Sequence, residues 1–355
     1  MGTELDGEWL LVETIGEEPT VIAVGDRPRE MRRIGSMFRR AAKPTIDQLI
    51  SDCLKTGKPV TGPIRKDAVE QLGPFGVAIP TLGVSGEVVA VQVWCGPADA
   101  QPDPPEPLGA WEWELGLQDR PARLRMTDTA LDLIGIDQKF RDRTLFGPAD
   151  YFTRVERLSE LLHLDQIVKS AQPGDESTGT MIVRPDGGAP LRRLHYAQRC
   201  VSTPGGPRLR GVTRDITRYD DPAQLSVDLA ESTLLQALVH FQKAYAAIAD
   251  ITYPTAPYII RWLTPHPPGV GHGVSTGQTP GIHPDDLPKV LGWINEVHAN
   301  GGVISGRART RAAGGGWMEG NFTGMLLDPA VSKNIVVGIV YPDSITVEDA
   351  ENTGR

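Results

Sequence analysis

The chain of 355 residues carries 36 Lys and Arg against 45 Asp and Glu, a net charge of −9 and a pI of about 5.4. That acidic balance argues against non-specific nucleic-acid binding. The length exceeds what one small core needs and suits two or three domains. Cys53, Cys95 and Cys200 are widely spaced with no CxxC pair, so neither a disulfide framework nor a zinc ribbon is expected. The start, MGTELDGEW, lacks the basic and apolar regions of a signal peptide, and the longest apolar run, Ile335–Tyr341, is far short of a membrane span. A cytoplasmic location with no membrane span is the expectation.

Residues 1–100 read as a first unit. Trp9–Ile15 and Thr20–Val24 have strand character and are joined by the turn Gly16–Pro19. The basic segment Arg27–Lys43 has two readings: a patch for an anionic partner or nucleic acid, or, equally well since Met31, Ile34 and Phe38 follow a helical spacing, a packed helix with a solvated basic face. Thr45–Thr56 reads as a helix with Thr45 as N-cap, a stripe of Ile46, Leu49, Ile50, Cys53 and Leu54, and Gly57 as its stop. Phe75–Leu82 and Glu87–Cys95 then form a hairpin across Gly83–Gly86. Its second strand, EVVAVQVWC, is apolar on both faces and so reads as a central, doubly covered strand. The Pro-rich, acidic stretch Ala98–Leu108 marks a boundary, with 101–109 as linker.

The second unit, 110–220, opens with the alternating strand Ala110–Leu115. Ala122–Met126 is a second strand candidate, Thr129–Ile136 and Gly147–Val155 are short helices, and Glu156–Ala171 is a longer one. Three strand-like runs follow, Met181–Arg184, Leu191–Val201 and Arg208–Asp215, separated by Gly- and Pro-rich turns as in an antiparallel meander. Asp221–Pro222 starts a linker helix over 221–243 that carries Leu225, Leu229, Leu235, Leu238, Val239 and Phe241 on one face.

The third unit, 244–345, repeats the second. A shift of 127 residues carries Ile167 to Ile294, Gly174 to Gly301, Gly179 to Gly306, Arg184 to Arg311, Gly211 to Gly338 and Val212 to Ile339. The match reads as ungapped through one helix, three strands and both turns, with the shared glycines assigned to turns. Strands Ala244–Ile251 and Tyr258–Leu263 precede the repeat, followed by the Gly/Pro-rich loop Thr264–Ile282. The acidic tail 346–355 is expected to be mobile.

Strand pair, helix and apolar hairpin in the first unit resemble a GAF domain. Two strands, small helices, one long helix and three strands, closing on Arg210–Thr217 (RGVTRDIT), resemble a PAS domain. The whole chain is similar to actinobacterial GAF–PAS–PAS triple sensor-domain proteins that carry no output domain. The fold class expected is therefore α+β, with three sensor-type domains, each a central antiparallel sheet flanked by helices. The resemblance implies a non-enzymatic signalling protein that binds a small ligand, a partner protein or a second copy of itself. It also implies a pocket between sheet and helices. In the second unit Trp113, Met126, His163, Ile167, Met181 and Tyr196 are the candidates to line it, by strand and helix facing. No cofactor is predicted; haem held by His163 is the exception that the resemblance allows.

Competing chemistry has little pattern behind it. His266, His272, His283, Asp285 and Asp286 offer metal-ligand types, the basis of an alternative reading as a metal-dependent enzyme. However, His-Pro-Asp-Asp is also an ordinary helix start, with Pro at N1 and acids at the positive end of the dipole. Gly314–Gly316 is followed by a strand rather than by Lys-Ser/Thr and a helix, so it reads as a hairpin turn and not a phosphate loop. No nucleophile elbow, kinase or helix-turn-helix signature is present. A ligand-free protein-interaction scaffold is the remaining alternative.

Overall fold

The computed structural model describes residues 5, 7–38, 41–116, 121–219, 244–253, 257–264, 267, 282–312, 316–327, 332–341 and 346–348. They build three antiparallel sheets flanked by helices, a mixed α+β architecture. Two compact units hold them. One comprises Met1–Leu115, Leu124–Thr144 and Leu162–Asp220; the other comprises Gly116–Arg123, Leu145–Leu161 and Asp221–Arg355. The linker helix expected over 221–243, and His266 and His272, lie outside the described residues.

The first sheet has the order β3-β2-β1-β6-β5-β4, from β1 (Leu10–Glu13), β2 (Thr20–Val24), β3 (Arg27–Arg33), β4 (Val60–Pro63), β5 (Phe75–Leu82) and β6 (Val88–Gly96). The basic segment therefore opens as a strand, Arg27–Arg33, followed by one helical turn, α1 (Ile34–Met37). Hydrogen bonding along β2 outweighs its helical spacing, and the arginines sit on an exposed edge strand, where charge discourages further pairing. The helix α2 spans Ala42–Thr56 and starts a turn earlier than Thr45, which is buried rather than capping. Pro44 falls in its first turn, where the missing N–H has no intrahelical partner to lose. Ile46, Leu49, Ile50 and Cys53 pack with Val91, Val93 and Cys95 of β6. A short helix, α3 (Val69–Leu72), completes this part. The opposite face of β6 contributes Ala90 to a second apolar layer, so the strand is covered on both sides, as its sequence predicts.

The second sheet has the order β8-β7-β11-β10-β9, from β7 (Leu108–Glu114), β8 (Arg123–Met126), β9 (Glu176–Val183), β10 (Arg192–Thr203) and β11 (Gly206–Asp215). Between β8 and β9 lie α4 (Asp128–Ile134), α5 (Pro148–Phe152) and α6 (Leu158–Ser170). Thr127 caps α4 by accepting from the Ala130 N–H, and Gly135 ends it with φ 79°. One face of this sheet, through Leu108, Ala110, Ala197 and Val212, packs directly on Leu11, Ile22, Ala23, Val89 and Ala90 of the first sheet. Ion pairs surround that layer. Arg199 reaches the fully buried Glu13 at 3.1 Å, Arg210 meets Glu87 at 3.3 Å, and Arg214 donates to the carbonyl of Gly25 at 2.6 Å.

The third sheet follows the same path, β13-β12-β16-β15-β14, from β12 (Tyr245–Asp250), β13 (Tyr258–Trp262), β14 (Val303–Arg311), β15 (Trp317–Leu326) and β16 (Ile335–Val340). The helix α7 (Leu287–Asn300) precedes β14. Identical strand order accounts for the internal repeat. The repeat is not ungapped, however. His195 pairs with Thr180, which a uniform shift of 127 would carry to Phe322 opposite Arg307, but Arg307 pairs with Asn321. Tyr196 pairs with Thr213, and the counterpart pair is Phe322 with Val340 rather than Thr323 with Val340. The middle strand β15 is thus displaced by one residue while its neighbours keep the shift of 127. Several shared glycines are also not turn residues, since Gly179, Gly211, Gly306 and Gly338 lie inside strands. The expected mobile tail begins as a strand, β17 (Thr346–Glu348), paired with Trp317–Glu319.

Candidate functional site

The third sheet and α7 enclose a cavity of about 240 Å³. Its floor comes from inward-facing positions that are small: Ala247 and Ala249 on β12, Ala308 on β14, Gly320 and Gly324 on β15, and Gly338 on β16. Register places Gly338 between Ala247 and Gly324, with Ile304 next in the same row. A Cβ built on Gly338 would meet nothing nearer than the Ala247 carbonyl oxygen at 4.0 Å, and one on Gly324 nothing nearer than 3.5 Å. Interior strand glycines that no neighbouring side chain fills leave bare backbone open to close approach. The roof is Val290, Trp293, Ile294 and Val297 of α7, and Trp262 and Phe322 lie at the sides. The Trp293 ring lies so close over Gly306 that a Cβ there would sit 1.8 Å from it, which fixes the helix against the sheet at one end.

The second sheet carries large apolar side chains at four of these positions, while Gly338 corresponds to Gly211 and Gly324 to Gln198. Cross-strand pairing matches Trp111 to Ala247, Trp113 to Ala249, Met181 to Ala308 and Leu194 to Gly320. Trp111 stands over Gly211, where a Cβ would lie 2.3 Å from the indole. Trp113 and Met181 are among the largest fully buried side chains. Of the residues singled out from sequence, Trp113, Met181 and Tyr196 are buried and share the face opposite Ala110, Ala197 and Val212. Met126 and Ile167 are half-buried, and His163 is exposed on α6. The third-sheet lining was missed because Gly338 served only to mark the repeat. The available signal was a glycine within an otherwise apolar strand, IVVGIV at Ile335–Val340.

Ionisable groups with strongly moved pKa values lie away from the cavity. Burial pushes the Cys53 thiol up to about 11 and that of Cys95 to about 12, and raises Cys200, so none is a ready thiolate. His195 is held down at about 3 by burial and then by Arg214, and keeps a hydrogen-bond contact with Thr178 at 3.0 Å. Asp286 is lowered to about 2 by its hydrogen bond from Arg309, at 2.9 Å. His283 accepts from the Asp285 N–H at 3.2 Å and packs edge-on against Trp317, which makes it a helix-start residue. Among the described residues no group of three or more His, Cys, Asp or Glu is placed to hold a metal ion. Among the described residues the charged side chains lining the cavity are Arg311, stacked 3.9 Å over Trp317, and Glu319, paired with Arg307 at 3.0 Å.

Comparison with known proteins addresses the fold. Residues 8–106 match the family model described as "Rv3651-like, N-terminal". An uncharacterised protein from Mycobacterium tuberculosis is 20% identical, with a TM-score of 0.68 and coverage of 97% of both chains. The chain is thus similar in fold to a mycobacterial-type protein over nearly its whole length. An RNA-binding light-oxygen-voltage receptor is 12% identical over 66% of this chain and 94% of its own, with a TM-score of 0.24. No curated protein matches. Among the described residues no helix is long and apolar enough to cross a membrane.

Proposed function

We propose that the chain is a non-enzymatic signalling protein of the GAF–PAS–PAS kind, and that its third domain, 244–345, binds a small ligand. The observation that carries this reading is the cavity over Ala247, Ala249, Ala308 and Gly320, at positions matching Trp111, Trp113, Met181 and Leu194 of the second sheet. Paired copies of one sheet, one filled and one open, fit a division of labour. The filled copy supports the first sheet, and the open copy receives the ligand. A non-enzymatic role is supported by a lining that, among the described residues, contains neither His nor Cys and whose Glu319 is paired with Arg307. A cytoplasmic setting and a partner protein, or a second copy, belong to the same reading.

Native mass spectrometry of freshly purified full-length protein tests it. A small molecule retained under native conditions and lost on denaturation, or a saturable thermal shift from a compound library, is the expected result. A chain that neither retains nor binds any small molecule overturns it. Turnover of a bound compound into product would overturn the non-enzymatic part.

A further inference from the structure

We infer that the ligand of the third-sheet cavity is a flat, uncharged molecule of about two fused rings, lying across the strands. The inference rests on the cavity being a ligand site and specifies the chemistry it selects. Shape comes first. Ala247, Gly338 and Gly324 occupy one row on three neighbouring strands, β12, β16 and β15. Strands lie about 4.8 Å apart, so this row is a shallow trough about 10 Å long running perpendicular to them. Phe322 and Val340 form the adjoining row on one side, and Leu326 and Val336 the row on the other. A floor of peptide planes between two apolar ridges, roofed by the Trp293 indole, accepts a slab. A kinked chain would leave the ridges unfilled.

Size and charge narrow it further. An apolar cavity of roughly 150 Å³ holds one benzene, so about 240 Å³ has room for a two-ring system. An ionised ligand buried here would need a counter-charge. Among the described residues the charged lining residues are Arg311, opposite Trp317, and Glu319, opposite Arg309. They lie several rows along the strands from Gly324 opposite Ile304, so the trough itself offers an ionised group no counter-charge.

Isothermal titration of the full chain with 2-naphthol, 1-decanol and 2-naphthoate, probes of similar carbon count, tests the inference. 2-Naphthol should bind at least about tenfold more tightly than either of the others. Gly338→Val, which places methyls in the trough on a strand-compatible backbone, should weaken 2-naphthol at least about tenfold with no loss of melting temperature. Gly324→Ala provides a smaller obstruction should the valine disturb folding. Equal or tighter binding of 1-decanol overturns the shape while leaving the site intact, and equal binding of 2-naphthoate overturns the charge requirement. A wild-type chain that binds none of the three, yet shifts with other compounds, also overturns this inference and spares the proposed function.

Discussion

The second and third sheets share strand order yet differ on both faces. On the inner face, Trp111, Trp113, Met181 and Leu194 stand where Ala247, Ala249, Ala308 and Gly320 stand in the other. On the outer face, Arg199 and Arg210 of the second sheet, which pair with Glu13 and Glu87, correspond to Met325 and Val337. Met325 is 49% exposed and lies opposite Val303, 64% exposed. Backbone pairing alone preserves the topology, so the side chains on either face are free to diverge. One sheet has become a filled support docked on another sheet, and its relative has kept an interior that is open.

The largest effect should come from giving the second sheet the third sheet's interior. Trp111→Ala removes a buried indole and should cost about 3–5 kcal/mol, read as a drop in the urea midpoint at unchanged m-value. Next is the outer face. Arg199→Met imports the third sheet's residue type and takes a partner from the buried Glu13 carboxylate. It should destabilise by about 2–4 kcal/mol, with Glu13→Leu in the same background recovering part of the loss. Gly211→Ala drives a methyl against the Trp111 ring and should cost about 1–3 kcal/mol. The matching change Gly338→Ala meets open space, so its midpoint should stay within about 0.5 kcal/mol of wild type. Equal costs for the two would break the comparison of filled and open interiors.

Acid should separate the sheets as well. The His195 imidazole has an ordinary value of 6.5 and falls to about 3 in the fold, because burial, and then Arg214, oppose its protonation. Between those values the unfolded chain binds the extra proton. The stability His195 contributes is therefore complete above about pH 6.5 and declines as pH falls toward 3, by up to about 1.4 kcal/mol per pH unit. Its counterpart on β15 is Asn321, which does not titrate in this range. His195→Asn should flatten the fall in melting temperature between pH 6.5 and 5; an unchanged slope would place the acid sensitivity elsewhere.

Much of the fold was legible from local pattern. EVVAVQVWC announced a doubly covered strand, and Gly- and Pro-rich turns delimited the meander. The helix expected in Arg27–Lys43 failed because an amphipathic spacing in a short basic stretch cannot weigh the cross-strand hydrogen bonds with β2. The candidate site was less legible for a physical reason. A cavity arises from side chains that are missing at positions brought together by pairing, and the row Ala247–Gly338–Gly324 draws on three distant strands. Trp113, Met181 and Tyr196 drew attention by being large, whereas the open space lies where their relatives are small or, at Phe322, aromatic.

The one-residue displacement of β15 carries a consequence for the history of the two copies. Seven residues separate Thr310 from its partner Met318, where eight separate Val183 from Arg192; nine separate Leu326 from Val336, where eight separate Cys200 from Leu209. One turn has lost a residue and the other has gained one, so the two length changes cancel outside the strand. Both changes lie in turns and leave the pairing intact, whereas a one-residue slip of β15 itself would have turned every side chain to the opposite face. The compensating turn lengths leave the inward positions of β15 in register with those of β10, while the residues at those positions differ, Leu194 against Gly320 and Gln198 against Gly324.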